Sequence, residues 1–522
     1  MRIVAANLQH DGAIAIVRDG QLARYIEAQK DNHRRYASLG VLTLSRVWNG
    51  IGEQLGGPPD IVGIAGWQNS VAPYRGCGTN SIVTGFIDSD ATMRQFATSH
   101  ERAHILCAYA LSPFEQGEPC YALVYEGNIG AFYSIDHECN ITPLIEPVRE
   151  PGHRYAALYE LADRTFAADS QGMSAGTAGK LMALAGTREE VPLEPAERQL
   201  MAMLIDGVFQ EEGRWGSVVP QKHRLQASRY WNAGHLDARF RQFARRFSDT
   251  LFDRFYGAVV STVTAKLPLL IAGGCGLNCS WNTRWRNSGL FREIFIPPCP
   301  DDSGIAIGVA ADAQRHYGGK AKLEWDVYSG EAFQHDVIVA EEFQHTELDY
   351  DHVAGRLREG AVVAWVQGRY EIGPRALGNR SLLGAPFDKA MAHRLNQIKE
   401  REGYRPIAPV CLEEEVSKWF DWQGESRYML HFQNVRSTGL AAVTHDDGSA
   451  RVQTVNERQN GRLYKLLRAF AVKSGMGVLC NTSLNFPGHG FINRTSDLVA
   501  FVRRARIEIM VIGDDVYQRR EG

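Results

Sequence analysis

Two histidines, His100 and His104, sit four residues apart in the segment SHERAH, Ser99 to His104. Ser99 is a good helix N-cap, and ERAHILCAYAL after it carries apolar residues at helical spacing, which predicts a helix beginning here. Positions i and i+4 share a helix face, so both imidazoles can reach one metal ion. The string is also H-E-x-x-H, the zinc-protease signature. The plainer alternative is a surface helix with two solvated histidines, and the remaining ligands decide between these readings. In FIPPCPDDSGIAIGVAAD a strand ends in prolines, and Asp301 and Asp302 precede a glycine-containing helix start. They are either helix caps or, for one of them, a third metal ligand. Two histidines plus carboxylates suit an octahedral iron, manganese or zinc site with open positions. The protease reading weakens at Glu126, which is suitably spaced from His104 but lies in YALVYEG, a stretch that alternates like a strand and not a helix.

Other residues point to phosphate. LPLLIAGGCGLNCSWN reads as a buried strand running into Gly273, Gly274 and Gly276, with Asn278 at the start of a helix. Small residues let the backbone approach a nucleotide, and a helix N-terminus favours negative charge. Lys180, in the glycine-flanked turn of SAGTAGKLMALAG, is a further nucleotide candidate without Walker spacing. In the second half Arg375 and Arg380 flank ALGN, Lys399, Arg401 and Arg405 follow a helix within IKEREGYRP, and Arg451 is expected on a strand in ARVQTV. These cations are interleaved with Gly, Pro and Asn instead of acidic partners, which suits a dianion or triphosphate. Asn481, Thr482 and Ser483, expected in a loop after the strand GVLC, are short polar groups for the same pocket.

The elements that must hold these groups are α/β. RIVAANL, the loop QHDG, AIAIVR, an Asp19-Gly20 turn and QLARYIEA read as strand, loop, strand, hairpin, strand. A similar hairpin recurs at CYALVYEGNIGAFYSID, and the order hairpin, hairpin, strand-glycine-helix suggests a duplicated actin-like (ASKHA) core. LEPAERQLMAMLIDGVFQEEG is an amphipathic helix, and residues 185–250 say little more. The polar stretch FQHDVIVAEEFQHTELDYD places a domain boundary near residue 340, giving domains 1–340 and 341–522. The 522 residues allow two to four domains, and 44% apolar with 22% charged residues is ordinary globular composition. A net charge of −3 gives no global basic field for nucleic acid or an anionic membrane. No stretch reads as a membrane span or signal peptide. Nine scattered cysteines without CxxC argue for reduced thiols and a cytoplasmic location.

With these blocks in place, the chain resembles the O-carbamoyltransferases of natural-product biosynthesis, the family of the nodulation-factor and aminoglycoside enzymes. It is most similar to the 3-hydroxymethylcephem carbamoyltransferases. The resemblance covers nearly the whole chain: SHERAH, AGKLMALA, SGIAIG, WVQGRYEIGPRALGNRSLLGAPF, LNQIKEREGYRPIAPV, DGSARVQTV and LCNTSLNFPGHGFINR. It implies an N-terminal domain similar to the tRNA threonylcarbamoyl-transfer protein, with a divalent metal, iron(II) before manganese or zinc, on His100, His104, Asp302 and Glu126. Glu126 stands where the family usually has aspartate, and Glu101 within the motif becomes incidental. It also implies a YrdC-like C-terminal domain that makes carbamoyl-adenylate from carbamoyl phosphate and ATP with magnesium. Arg375, Lys399, Arg405, Arg451, Asn481 and Ser483 would surround the phosphates and carbamoyl group. The acceptor would be a hydroxyl on a small molecule, a cephem hydroxymethyl or a sugar on a glycosylated product such as a macrolide. His10 in QHDG is the candidate base, steadied by Asp11, against the alternative of a loop histidine that only hydrogen-bonds. A tRNA-modifying carbamoyl-transfer enzyme and a non-enzymatic nucleotide or carbamoyl phosphate sensor are the other classes. The neutral charge balance counts against nucleic acid as a partner, and a homodimer is left open.

Overall fold

The computed structural model describes residues 1–66, 73–77, 93–166, 176–186, 192–206, 222–339 and 341–520. Its first sheet contains β1 (Arg2–Asn7), β2 (Ala13–Arg18), β3 (Gln21–Glu27), β4 (Ile61–Ala65) and β5 (Arg94–Thr98), in the order β3-β2-β1-β4-β5. The second contains β6 (Cys120–Tyr125), β7 (Gly130–Ile135), β8 (Ile141–Ile145), β9 (Leu269–Ala272) and β10 (Ile294–Phe295). Read from its third strand, its order is β8-β7-β6-β9-β10, the same topology. In both sheets two antiparallel steps are followed by two parallel ones. The duplication expected from the recurring hairpins is therefore present in strand order and direction. The first hairpin turns at Asp19 and Gly20, both with positive φ (51° and 86°), which matches the right-handed twist of the flanking strands.

Two helices run between the sheets. The histidine helix, His100–Leu111, is buried along its whole length, so it shows no polar face. The aspartate helix, Ile305–Gly318, is buried from Ile305 to Gln314. They approach so closely that a Cβ on Gly308 would lie 1.8 Å from the Ala103 carbonyl oxygen. A buried ion pair crosses the contact: Arg102 Nε is 2.8 Å from Asp312 Oδ2 and Arg102 Nη2 is 3.0 Å from Asp312 Oδ1. Thr98 Oγ1 donates to the same carboxylate at 2.7 Å. The stretch where the sequence was least informative contains a helix, Ala238–Thr262, whose Phe240, Phe243, Phe247, Phe252 and Phe255 form an aromatic face of the core beside the second sheet.

The C-terminal half is built on an eight-stranded mixed sheet in the spatial order Phe343–Glu347, Asp515–Arg519, Ile509–Ile512, Val363–Val366, Arg380–Gly384, Val478–Ser483, Ala408–Leu412, Gln453–Val455. Apolar cores cover both of its faces. Three local expectations need correction. Asn481, Thr482 and Ser483 lie on a strand and not in the loop after it, because they pair with Ser381–Leu383. Arg451 lies between two short strands, Ser449–Ala450 and Gln453–Val455, and in neither. Lys180 lies inside the helix Thr177–Leu184 and not in a turn, since Gly179 is helical too. Residue 340 itself lies outside the described residues. No helix among the described residues is long and apolar enough to cross a membrane.

Replacing Gly308 tests the helix contact. Gly308→Val must push the Ala103 backbone away, and we expect a loss of about 1–3 kcal/mol in urea unfolding together with weakened metal binding. Unchanged stability would show that the two helices can separate at no cost.

Candidate functional site

The helix start is set as its sequence predicts: Ser99 Oγ accepts the Arg102 amide at 3.1 Å. The cap puts His100 on the first turn and His104 one turn later, facing the same way. Glu126 follows directly on β6, and Asp302 opens the short 3₁₀ turn that leads into the aspartate helix. Four side chains from three elements thus converge. His100 Nε2 is 3.2 Å from His104 Nε2 and 3.3 Å from Glu126 Oε2. His104 Nε2 is 3.3 Å from both Glu126 Oε2 and Asp302 Oδ1, and His100 Nε2 is 3.6 Å from Asp302 Oδ1. Ligands about 2.0–2.2 Å from an ion stand about 3.0–3.6 Å apart in octahedral or tetrahedral geometry. The four donors, all within 4.8 Å of one another, fit a divalent transition metal.

Charge supports the same reading. Burial alone would lower the His104 pKa, but Asp302 and Glu126 outweigh it and push it up to about 10. Burial alone would raise the Glu126 carboxyl, yet His100 and His104 hold it well below the usual carboxylate range. Two carboxylates this deep require positive charge, supplied either by protons on the rings or by a cation that leaves the rings neutral. Tyr74 adds a support that sequence spacing gave no sign of. Its hydroxyl donates to Glu126 Oε1, and its ring stacks on His100 at 4.4 Å. Glu101 does not face the cluster. Its carboxylate accepts the Gly76 amide at 2.6 Å and the Tyr133 hydroxyl, so it holds backbone in place and is no protease base.

His10 lies at the open side of the cluster, through the other oxygen of Asp302. Its Nδ1 is 3.0 Å from Asp11 Oδ2 and 3.8 Å from Asp302 Oδ2. Burial pulls its pKa down, but Asp11, Asp302 and Asp301 raise it to about 9. Its ring stacks on Tyr36 at 5.1 Å. Asp301 is not among the four ligands. It accepts from Ser303 Oγ, and burial and Asp11 raise it to about 7.

The glycine turn links this cluster to the C-terminal half. Gly273 has φ of +88°, and a Cβ there would lie 2.5 Å from the Tyr125 carbonyl oxygen, beside Glu126. Asn278 caps the next helix, Cys279–Asn287, by accepting the Trp281 amide at 3.3 Å, and its Nδ2 donates to Tyr155. That helix is held against the C-terminal half by Asn282 Nδ2 on the Leu430 carbonyl at 2.8 Å and Thr283 on the Phe432 carbonyl at 3.1 Å. Cys279 at its first turn lies between Arg375 and Arg451 in electrostatic reach of both.

Those two arginines belong to a cluster of cations. Burial first, then Arg451, Arg405 and Arg35, pushes Arg375 down to about 9. Burial and Arg405 likewise push Arg401 down to about 9. Arg375 Nε, Arg451 Nε and Arg401 Nη2 are buried without a hydrogen-bond partner among the described residues. Like charges packed together with unused donors form a site that an anion relieves. Arg405, 4.0 Å from Glu402, remains partly open to solvent. Not every expected member is free to join. Lys399 donates to the Ser483 and Asn485 carbonyls at 2.7 Å each and to Asn485 Oδ1, so its ammonium holds that segment. Ser483 Oγ donates to Asn485 Oδ1 at 2.6 Å, and Asn481 Nδ2 to Gln453 Oε1 at 2.9 Å. Lys180 pairs with Glu402 at 2.9 Å, beside the cation cluster. Arg35, from the first half, was not foreseen. It lies over Tyr36 at 4.7 Å, next to the His10 stack, and faces Arg375 and Lys399 electrostatically. The run Arg34-Arg35-Tyr36 was the only hint in the sequence.

Comparisons with known proteins show the family of the chain. The family model described as Carbamoyltransferase N-terminus matches residues 90–311, and Carbamoyltransferase C-terminus matches residues 354–519. The chain is 40% identical over 531 residues, all of both chains, to 3'-hydroxymethylcephem-O-carbamoyltransferase of Amycolatopsis lactamdurans. It is 30% identical to Nodulation protein U of Rhizobium tropici, covering 94% of this chain and 92% of that one. Among solved structures, full-length HypF in its phosphate- and nucleotide-bound form overlaps 34% of this chain and 22% of its own at 16% identity and a TM-score of 0.22, too slight an overlap to argue from.

Two measurements test the metal cluster. Tyr74→Phe removes the hydroxyl that orients Glu126, and we expect metal affinity to fall about 10- to 100-fold in competitive titration with a chelator. In the metal-free protein a proton held on His104 up to about 10 must leave when a metal binds. Affinity for Mn²⁺ should therefore rise with pH, by about tenfold per unit for one proton, below that value. A flat affinity between about pH 6 and 8 contradicts this ligand set.

Proposed function

The chain belongs to the carbamoyltransferase family, and on that premise we propose that it is an ATP-dependent O-carbamoyltransferase acting on the hydroxyl of a small natural product in antibiotic biosynthesis. The observation that carries this reading is the presence of four side chains at metal-ligand spacing beside the Gly273 turn, together with buried guanidiniums that keep unused donors at Arg375, Arg401 and Arg451. We read the duplicated sheets as an actin-like core and the C-terminal half, from about residue 341, as YrdC-like.

In this account Arg375, Arg405 and Arg451 bind the phosphates of ATP and carbamoyl phosphate. Carbamoyl-adenylate forms there, with uptake of water and release of inorganic phosphate and pyrophosphate. The guanidiniums act electrostatically, by neutralising charge on phosphate. Lys399, Ser483 and Asn481 keep the wall of this site in place. His100, His104, Glu126 and Asp302 would hold a divalent metal, which supplies Lewis-acid polarisation of the carbamoyl carbonyl. Of the three glycines expected to face the nucleotide, only Gly274 has open space where a side chain would stand and can leave room for the adenylate; Gly273 and Gly276 are glycine because Tyr125 and Pro300 pack against them. His10 faces the acceptor from the open side of the cluster. Once it has lost its own proton it takes that of the hydroxyl, and Asp11 steadies the imidazolium that results. The hydroxymethyl group of a cephem is the first acceptor to try, because that is what the Amycolatopsis relative's name states.

Pyrophosphate release from ATP and carbamoyl phosphate, and transfer of labelled carbamoyl to a 3-hydroxymethylcephem, separate the two sites. Arg405→Ala should lose about 30- to 900-fold in pyrophosphate release, since one charged contact is worth about 2–4 kcal/mol. His100→Ala should keep pyrophosphate release and lose transfer. Absence of carbamoyl phosphate-dependent pyrophosphate release in the unmodified protein would sink the proposal.

A further inference from the structure

Glu27 ends β3 and leads into the short helix Ala28–Asp31, which carries Lys30. Both side chains are buried, and neither belongs to the metal cluster or to the buried guanidiniums with unused donors. The Lys30 ammonium donates to Glu27 Oε1 at 2.7 Å and to the Glu371 and Gly373 carbonyls at 2.6 and 2.8 Å. The Gly373 amide donates back to Glu27 Oε1 at 2.8 Å. All three ammonium donors are thus used, two of them on backbone more than 340 residues away in sequence. The rings of Tyr370 and Phe491 lie 5.0 and 4.6 Å from the ammonium.

A buried pair of this kind adds little net stability over apolar side chains of the same size, while removal of one partner is costly. Its effect here is to fix geometry. Gly373, with φ of +84°, rests so close to Pro298 that a Cβ would lie 2.2 Å from its carbonyl oxygen, and Pro298 leads into Asp301 and Asp302. Two residues after Gly373 comes Arg375. The loop beyond is closed by the Glu371 carboxylate, which accepts the amides of Leu377 and Asn379 at 2.7 Å each and Arg380 at 3.2 Å. One end of the Arg375 loop is therefore clamped by the first half of the chain, beside the turn that carries a metal ligand.

We infer that Glu27 and Lys30 are positioning residues for the phosphate site in the other half, setting the Arg375 loop in register with the Asp302 turn. This rests on the proposed function for Arg375 as a phosphate ligand.

The test uses the full chain with Lys30→Met, Glu27→Gln and the double variant. Lys30→Met leaves a buried carboxylate and loses stability. The double variant removes both charges and should regain a near-normal thermal midpoint and metal content. It should still show a KM for carbamoyl phosphate raised about 10-fold or more in pyrophosphate release, with kcat changed less than about 3-fold. It should also show faster hydrogen exchange at the Leu377, Asn379 and Arg380 amides. A purely structural pair predicts that KM and exchange recover together with stability, and that result overturns the inference. If the double variant fails to fold, Glu27→Gln alone gives the same exchange readout, faster in support and unchanged against. If the unmodified protein releases no pyrophosphate, the proposed function fails by itself, and loop exchange in the double variant still decides the positioning role.

Discussion

Glu126 and Asp302 bring two carboxylates within 3.3 Å of His104, where burial, nearly complete for Glu126 and partial for Asp302, strips away most of their water. Charge at that depth must be matched locally, because an unpaired buried carboxylate would neutralise or unfold its surroundings. The matching depends on placing four side chains from three elements to within a fraction of an ångström. The rigid part of the fold provides this. The histidine helix and the aspartate helix are locked together at Gly308 and by the buried Arg102–Asp312 pair, so His104 and Asp302 keep their spacing. The remaining ligand, Glu126, is held from its far side by Tyr74.

The second half of the chain reverses the problem. Its candidate site is a concentration of guanidiniums with donors left over, beside a segment that Lys399 holds through the Ser483 and Asn485 carbonyls. Carboxylates that need positive charge thus lie beside the turn at Gly273, and guanidiniums that need negative charge lie within electrostatic reach of Cys279, which follows the same turn. A cation suits the first and an anion the second. The contacts of Lys30, Asn282 and Thr283 across the two halves keep these two environments in fixed relation.

Much of this was legible in local sequence. The Ser99 cap, the i,i+4 histidines and the strand character around Glu126 depend on neighbours a few residues away, and all stand in the structure. The repeated hairpins announced the repeated sheet topology. What could not be read was which side chains are already committed. Lys399 reads as a free cation until the Ser483 and Asn485 carbonyls, over 80 residues on, are seen to take its protons. Asn278 reads as a nucleotide ligand until its capping bond and Tyr155 are seen. Arg35, Tyr36 and Tyr74 carry no motif at all, and only tertiary packing brings them to the clusters. Strand edges at Asn481 and Arg451 were misplaced because the pairing that defines them is long-range.

His100, His104, Glu126 and Asp302, three of them buried, should together form a metal site. Crystals grown with iron(II), manganese or zinc, with diffraction recorded on both sides of each absorption edge, test it most directly. The account predicts one anomalous peak about 2.0–2.2 Å from His100 Nε2, His104 Nε2, a Glu126 oxygen and Asp302 Oδ1. Absence of a peak with every metal, with the rings left directly bonded to the carboxylates, would contradict it and leave the cluster as a proton-held ion network.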